Sequence, residues 1–309
     1  MTDSVPVAIV TFALSIGAMW VGAEAFVSSA AGVARRFGLS DLVVGLTVVA
    51  LGTSAPEAAV SVDAALVGNG DIAVANVVGS NLFNIGIVLG GIAAIVGVRS
   101  SSRMVRRDGV AMILSTVLLL AVLWDLQVSR LDGVVLLLAF AGYLTALFVR
   151  PDESGDAPTE PRRATWLTAL LLVGGLATIV AAAHFLVESA VSIAETAGLS
   201  EWVIGETIVA VGTSTPEIIA SVTAARNGMG DIAAGNLIGS NVFNALFILG
   251  ITSTIAPIVV VETAIGTTTW LLFLSVLTAV LLGTKGRLGR LEGAVLVAIN
   301  VSRWILDIL

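Results

Sequence analysis

Ten apolar stretches joined by short polar connections leave this chain one solvent in which it can fold. They lie at about 5–32, 42–67, 72–97, 109–125, 131–149, 165–195, 202–225, 231–257, 262–283 and 289–307. Each is close to or beyond the roughly 20 residues a helix needs to cross about 30 Å of hydrocarbon. Three exceed an ordinary span, which calls for tilt, an interfacial extension or a local break. Only 12% of the 309 residues are charged and 57% are hydrophobic, where a soluble domain carries about 25% charge. The expected fold class is therefore an all-α integral membrane protein of ten transmembrane helices, multi-pass in the cell membrane and surrounded by lipid.

The residue inventory removes several functions. Cysteine is absent, so neither disulfides nor a thiolate metal site can form, and the single histidine, His184, cannot supply a His-rich zinc site. The net charge of −7 is spread over loops and helix ends and gives no nucleic-acid footprint. No nucleophile, base and orienting group occur in a recognisable set, so an enzyme is not expected. The start, Met1-Thr2-Asp3-Ser4, lacks the basic region of a cleavable signal, and the first stretch reads as a retained span.

Residues 151–163 form the one long polar insert, rich in Pro, Asp and Gly, and they divide the chain into halves 1–150 and 164–309 of five spans each. Positive charge fixes the orientation, because cytoplasmic loops retain Lys and Arg. An external N-terminus puts Arg35, Arg36, Arg99, Arg103, Arg106, Arg107, Arg150, Arg162, Arg163, Arg226, Lys285, Arg287 and Arg290 inside, and leaves only Arg130 and Arg303 outside. Both termini are expected outside and the linker in the cytoplasm.

The halves repeat one another at a constant offset of 160. Gly45-Leu46-Thr47-Val48-Val49-Ala50-Leu51-Gly52-Thr53-Ser54-Ala55-Pro56-Glu57 matches Gly205-Glu206-Thr207-Ile208-Val209-Ala210-Val211-Gly212-Thr213-Ser214-Thr215-Pro216-Glu217. Gly79-Ser80-Asn81-Leu82-Phe83-Asn84 matches Gly239-Ser240-Asn241-Val242-Phe243-Asn244, and 28 of the 47 positions from 38 to 84 are identical to those from 198 to 244. Five crossings separate span 2 from span 7. The number is odd, so the copies enter the bilayer from opposite sides, which predicts two inverted five-helix repeats with broken helices meeting at the midplane.

Glu57 and Glu217 fall about fifteen residues into their spans, where a carboxylate is costly and marks function. Facing one another, they would hold either protons or a cation. Pro56 and Pro216 lack an N–H and leave the Gly52 and Gly212 carbonyls without helical partners, which predicts a kink that turns backbone oxygens inward. Thr53 and Ser54 share a helix face with Glu57, as Thr213 and Ser214 do with Glu217. Ser80 and Asn84 stand four apart on the next span, as do Ser240 and Asn244. The donors are all oxygen, which favours Ca2+ over Mg2+ and disfavours transition metals. Two carboxylates neutralise one Ca2+ or accept Na+ or H+ instead, the minimum that antiport requires. Asp71 and Asp231 are expected to cap spans 3 and 8, and the Gly68-Asn69-Gly70-Asp71 turn lacks the ligand pattern of a calcium loop.

These Gly-Thr-Ser-x-Pro-Glu and Gly-Ser-Asn-x-Phe-Asn pairs resemble the sodium/calcium exchanger family of the calcium/cation antiporter superfamily. Its alpha-repeats correspond to about 38–91 and 198–251. The resemblance implies that Thr53, Ser54, Glu57, Thr213, Ser214 and Glu217 form central Ca2+ and Na+ sites, with backbone oxygens from Ala50 and Ala210. It also implies Ser80 and Ser240 as outer sodium ligands and Asn84 and Asn244 as flanking polar groups. Asn244 departs from the aspartate of well-studied sodium-coupled prokaryotic members, which removes one negative charge from the cluster. In the family, spans 1 and 6 slide across the rest, and here they carry Glu24 and His184 at matching repeat positions, either tuning proton dependence or forming a helix contact.

The expected function is Na+/Ca2+ antiport by alternating access, with no cofactor beyond the transported ions and a monomer as the expected unit. Antiport of Ca2+ against H+ or another cation is the nearest alternative. A Ca2+-binding channel or scaffold is the alternative from another class.

Overall fold

The computed structural model describes residues 5–36, 50–99, 104–149, 166–226 and 230–308. The expected linker, 151–163, lies outside the described residues, as do Gly45–Val49 of the first repeat. The described residues form ten helical units in the predicted order. They are α1 (Val5–Arg36), a broken α2 (Ala50–Thr53 then Ala55–Leu66), α3 (Gly70–Val96), α4 (Val105–Gly109 continuing as Val110–Val122), α5 (Arg130–Val149) and α6 (Trp166–Ala197). A broken α7 (Glu201–Thr213 then Thr215–Arg226) follows, then α8 (Gly230–Phe243, Asn244–Ile248 and Leu249–Ile255), α9 (Thr263–Lys285) and α10 (Arg290–Ile308). Six of the described helices are long and apolar enough to cross a membrane alone, and the two halves of α7, bent by 50°, count as a seventh.

Burial sorts these helices into a centre and a rim. In α3 94% of the most apolar window is buried, against 28% in α1 and 33% in α6, so α3 is a core element and the other two face outward. α1 and α6 pack against each other. Their 32 residues each make helices of about 48 Å, too long to stand upright in the bilayer. They meet where Gly22 opposes Gly175: a Cβ added to Gly22 would lie 2.9 Å from the Gly175 carbonyl oxygen. Small residues thus let two backbones touch, the usual device where lipid gives helices no hydrophobic drive to associate.

Two short antiparallel ribbons were not foreseen. β1 (Val98–Arg99) pairs with β4 (Arg287–Leu288), and β2 (Gln127–Val128) pairs with β3 (Ile258–Val259). The 160-residue offset relates β1 to β3 and β2 to β4, so each ribbon joins one strand from either half. The crossing count puts both strands of each ribbon on one membrane face and the two ribbons on opposite faces. Asp71 behaves differently from its expected capping role. The residue before α3 is Asn69, whose side chain makes no capping bond, whereas Asp71 Oδ1 accepts from the Val261 N–H at 2.8 Å. Its carboxylate therefore ties α3 to the loop after β3, in the other repeat. The side chain of Asp231 lies outside the described residues.

Candidate functional site

The proline in each repeat starts a helix. α2 stops at Thr53 and α7 at Thr213; Ser54 (φ −88°, ψ 9°) and Ser214 (φ −78°, ψ 9°) interrupt the helical backbone, and new helices begin at Ala55 and Thr215. Pro56 therefore occupies the first turn, where a missing N–H costs nothing. Glu57 and Glu217 follow in that same first turn, where free N–H groups favour negative charge. The expected kink is present.

Ser54-x-x-Glu57 has the spacing of a local capping box, yet Ser54 makes no cap bond. Its hydroxyl crosses to the other repeat and donates to Glu217 Oε1 at 2.9 Å. Ser214 donates to Glu57 Oε1, also at 2.9 Å. The four residues are thus exchanged crosswise about a local twofold axis, and Ser54, Glu57, Ser214 and Glu217 all have zero exposure. Thr53 and Thr213, each directly before its serine, are buried as well.

A second crosswise set lies beside them. Asn81 Nδ2 donates to the Asn241 carbonyl oxygen at 3.0 Å and Asn241 Nδ2 to that of Asn81 at 3.1 Å. Asn84 Nδ2 donates to Asn241 Oδ1 at 3.2 Å, and Asn244 Nδ2 to Asn81 Oδ1 at 3.1 Å. Asn84 lies in a π-helical segment, Phe83–Leu89, and Asn244 opens another, Asn244–Ile248. Such wider turns inside α-helices recur at functional sites.

Among the described residues twelve buried side-chain oxygens keep no hydrogen-bond partner, and six of them form three repeat-related pairs: Oε2 of Glu57 and Glu217, Oγ of Ser80 and Ser240, and Oδ1 of Asn84 and Asn244. Buried polar atoms are nearly always paired, and of the twelve only these six are related by the repeat, which gives the two halves matching oxygens that could coordinate a cation. The amide groups of both asparagines are used, which leaves their oxygens for a cation. Among the described residues no group of three or more His, Cys, Asp or Glu side chains is placed to hold a metal ion. Two carboxylates with neutral oxygens suit an ion that must also leave.

Of the remaining expected residues, Ala50 opens α2 and Ala210 lies buried in α7. The Ala210 carbonyl accepts from Ser214 N–H at 3.0 Å and from Thr213 Oγ1 at 3.2 Å. His184 Nδ1 lies 3.2 Å from each carboxylate oxygen of Asp63 on α2, a helix contact, whereas Glu24 is exposed.

The sequence reading missed Asn76, which links Glu57, Ser61 and Thr213. It also missed Glu206, fully buried, whose Oε2 accepts from Trp202 Nε1 and from Thr267 Oγ1. Asn76 was visible as one of the identities between the repeats. Glu206 was visible as an intramembrane acid that faces Leu46 in the alignment.

Residues 7–149 and 167–301 match the sodium/calcium exchanger protein family. The chain belongs to that family. It is 38% identical to CaxA of Alkalimonas amylolytica over 89% of this chain and 90% of that protein. Identity to the sodium/calcium exchanger MaX1 of Methanosarcina acetivorans is 31%, over 91% and 93% of the two chains. The solved structure of the sodium-calcium exchanger NCX_Mj soaked with Na+ and Sr2+ is similar with a TM-score of 0.68 and 29% identity, covering 97% of this chain and 98% of that one. The exchanger fold, with its broken α7, is therefore the fold of this chain.

Proposed function

We propose that this exchanger moves Ca2+ against Na+ across the cell membrane by alternating access, and that the ions bind where α2, α3, α7 and α8 cross. The observation that carries the reading is the crosswise pair of carboxylates, each held through Oε1 by a serine of the opposite repeat and each presenting an unpartnered Oε2. Glu57 and Glu217 are the charge-bearing ligands of Ca2+. Thr53, Ser54, Thr213 and Ser214 contribute hydroxyl oxygens, Ala50 and Ala210 contribute carbonyls, and Ser80, Asn84, Ser240 and Asn244 complete the shell for Na+. With neutral Asn244 the cluster carries two negative charges, which one Ca2+ or two Na+ would cancel, so either loaded state can cross the low-dielectric interior.

The two five-helix halves, 1–150 and 164–309, act as inverted units joined by a cytoplasmic linker at 151–163. One copy of the chain supplies every ligand, so the monomer is the working unit. N- and C-termini lie outside. A reporter enzyme inserted into the linker is expected to be active only in the cytoplasm; activity on the external side overturns the orientation.

Coupling is tested in proteoliposomes. With a protonophore present and pH fixed, an outward Na+ gradient is expected to drive accumulation of 45Ca2+. Accumulation that follows a proton gradient and ignores Na+ would replace Na+ coupling with H+ coupling. In the same vesicles internal unlabelled Ca2+ is expected to accelerate entry of labelled Ca2+ at zero net gradient, which a channel or scaffold would not do.

A further inference from the structure

Asn76 sits on α3 four residues before Ser80, has zero exposure, and stands outside the ligand set just assigned. Its hydrogen bonds leave no freedom in which way its amide points. Nδ2 lies 3.2 Å from the Glu57 main-chain oxygen and 2.9 Å from Ser61 Oγ. A carbonyl oxygen carries no proton, so the group facing it must be the amide nitrogen. Asn76 Oδ1 then faces Thr213 Oγ1 at 3.1 Å. An amide oxygen has no proton either, so the threonine hydroxyl is the donor.

A hydroxyl has one proton and two lone pairs. Given to Asn76, that proton points away from the ions, and Thr213 turns only lone pairs elsewhere. Two other acceptors lie near it: the Ala210 carbonyl, 3.2 Å from Thr213 Oγ1, and the Glu57 carboxylate, which accepts from the next residue, Ser214. Both are ion oxygens in the reading above. Without an acceptor at position 76 the proton would fall on one of them, occupying a lone pair a cation needs. The bond from Nδ2 to a serine recurs in the other repeat, where Asn236 Nδ2 donates to Ser221 Oγ at 3.0 Å.

We propose that Asn76 is a positioning residue: by accepting the Thr213 proton it keeps the oxygens of Thr213, Ala210 and Glu57 free for the transported cation, and it does so mainly to the benefit of Na+. The inference rests on the ligand assignment above. Na+ is favoured because a monovalent ion draws more of its binding from neutral oxygens, whereas Ca2+ is held chiefly by the two carboxylates.

The test measures two half-saturation constants in proteoliposomes, one for Na+ from Na+-driven 45Ca2+ efflux and one for Ca2+ from Ca2+ self-exchange without Na+. Asn76→Leu is expected to raise the Na+ constant roughly two- to tenfold, the range one hydrogen bond supports, and to move the Ca2+ constant less than about twofold. Asn76→Ala is expected to do the same and decides the matter if the leucine variant does not fold. Thr213→Val is expected to raise the Na+ constant on its own. Adding Asn76→Leu to Thr213→Val should then bring little further change, because the residue acts through that hydroxyl. Equal loss of both ions, or full additivity in the double variant, means that Asn76 merely holds helices together and overturns the inference. If Thr213→Val shifts the Na+ constant and the Asn76 variants do not, the ligand assignment survives and the role of Asn76 is refuted. If none of them shifts it, the assignment of Thr213 fails as well.

Discussion

Ca2+ exchange is expected to fall by at least roughly a hundredfold in Glu57→Gln and in Glu217→Gln, the scale of removing one partner from a buried charge pair, while the folded protein persists. The amide is nearly the shape of the carboxylate, and its oxygen still accepts from Ser214 or Ser54 across the repeat boundary. What is lost is one of the two negative charges that compensate a divalent ion. Initial rates of 45Ca2+ uptake in proteoliposomes read the transport, and size-exclusion profiles with thermal melting read the fold. Each repeat supplies one carboxylate, so the two variants should fail alike. Normal transport by both would remove the proposed ion site, whereas failure of only one would break its symmetry.

The second large effect is expected at a residue that binds no ion. A Cβ built on Gly79 would lie 2.4 Å from both Cα and the carbonyl oxygen of Glu206, so α3 and α7 cross backbone against backbone next to Ser80. Neither contact belongs to a side chain that could swing away. Gly79→Ala is expected to cost about 3 kcal/mol, the upper range for overpacking a core, and to lower the melting temperature together with transport. On the same helix an added Cβ at Gly91 meets nothing within 4 Å among the described residues. Gly91→Ala should therefore be silent or slightly stabilising, since alanine is the better helix former. Equal behaviour of the two variants would show that the crossing tolerates separation.

The sequence was informative wherever one residue type had a single physical explanation. An acid fifteen residues into an apolar span has few uses besides charge compensation, and finding it twice at a fixed offset located Glu57, Glu217 and their neighbours. The proline break was legible for the same reason, since Pro56 and Pro216 cannot continue a helical ladder. Partners distant in sequence were not legible. Ser54 has the spacing to cap its own helix, and nothing local says that its hydroxyl will serve Glu217 instead. Asp71 stands at a helix start yet bonds to Val261. The π-helical turns at Phe83–Leu89 and Asn244–Ile248 change hydrogen-bond register without changing the apolar pattern, so periodicity passes through them unaltered. Tertiary geometry chooses among acceptors that local spacing leaves equally available.

The two ribbons bear on how such a molecule can move. β1 with β4 and β2 with β3 fasten the first half to the second at opposite faces of the bilayer. Swinging one half against the other would shear both fastenings at once, whereas α1 and α6 contribute no strand to either and can travel without opening one. In the alternating access proposed above, the remaining helices would serve as a closed frame clasped at top and bottom, and the long outer pair could travel along it without parting either clasp.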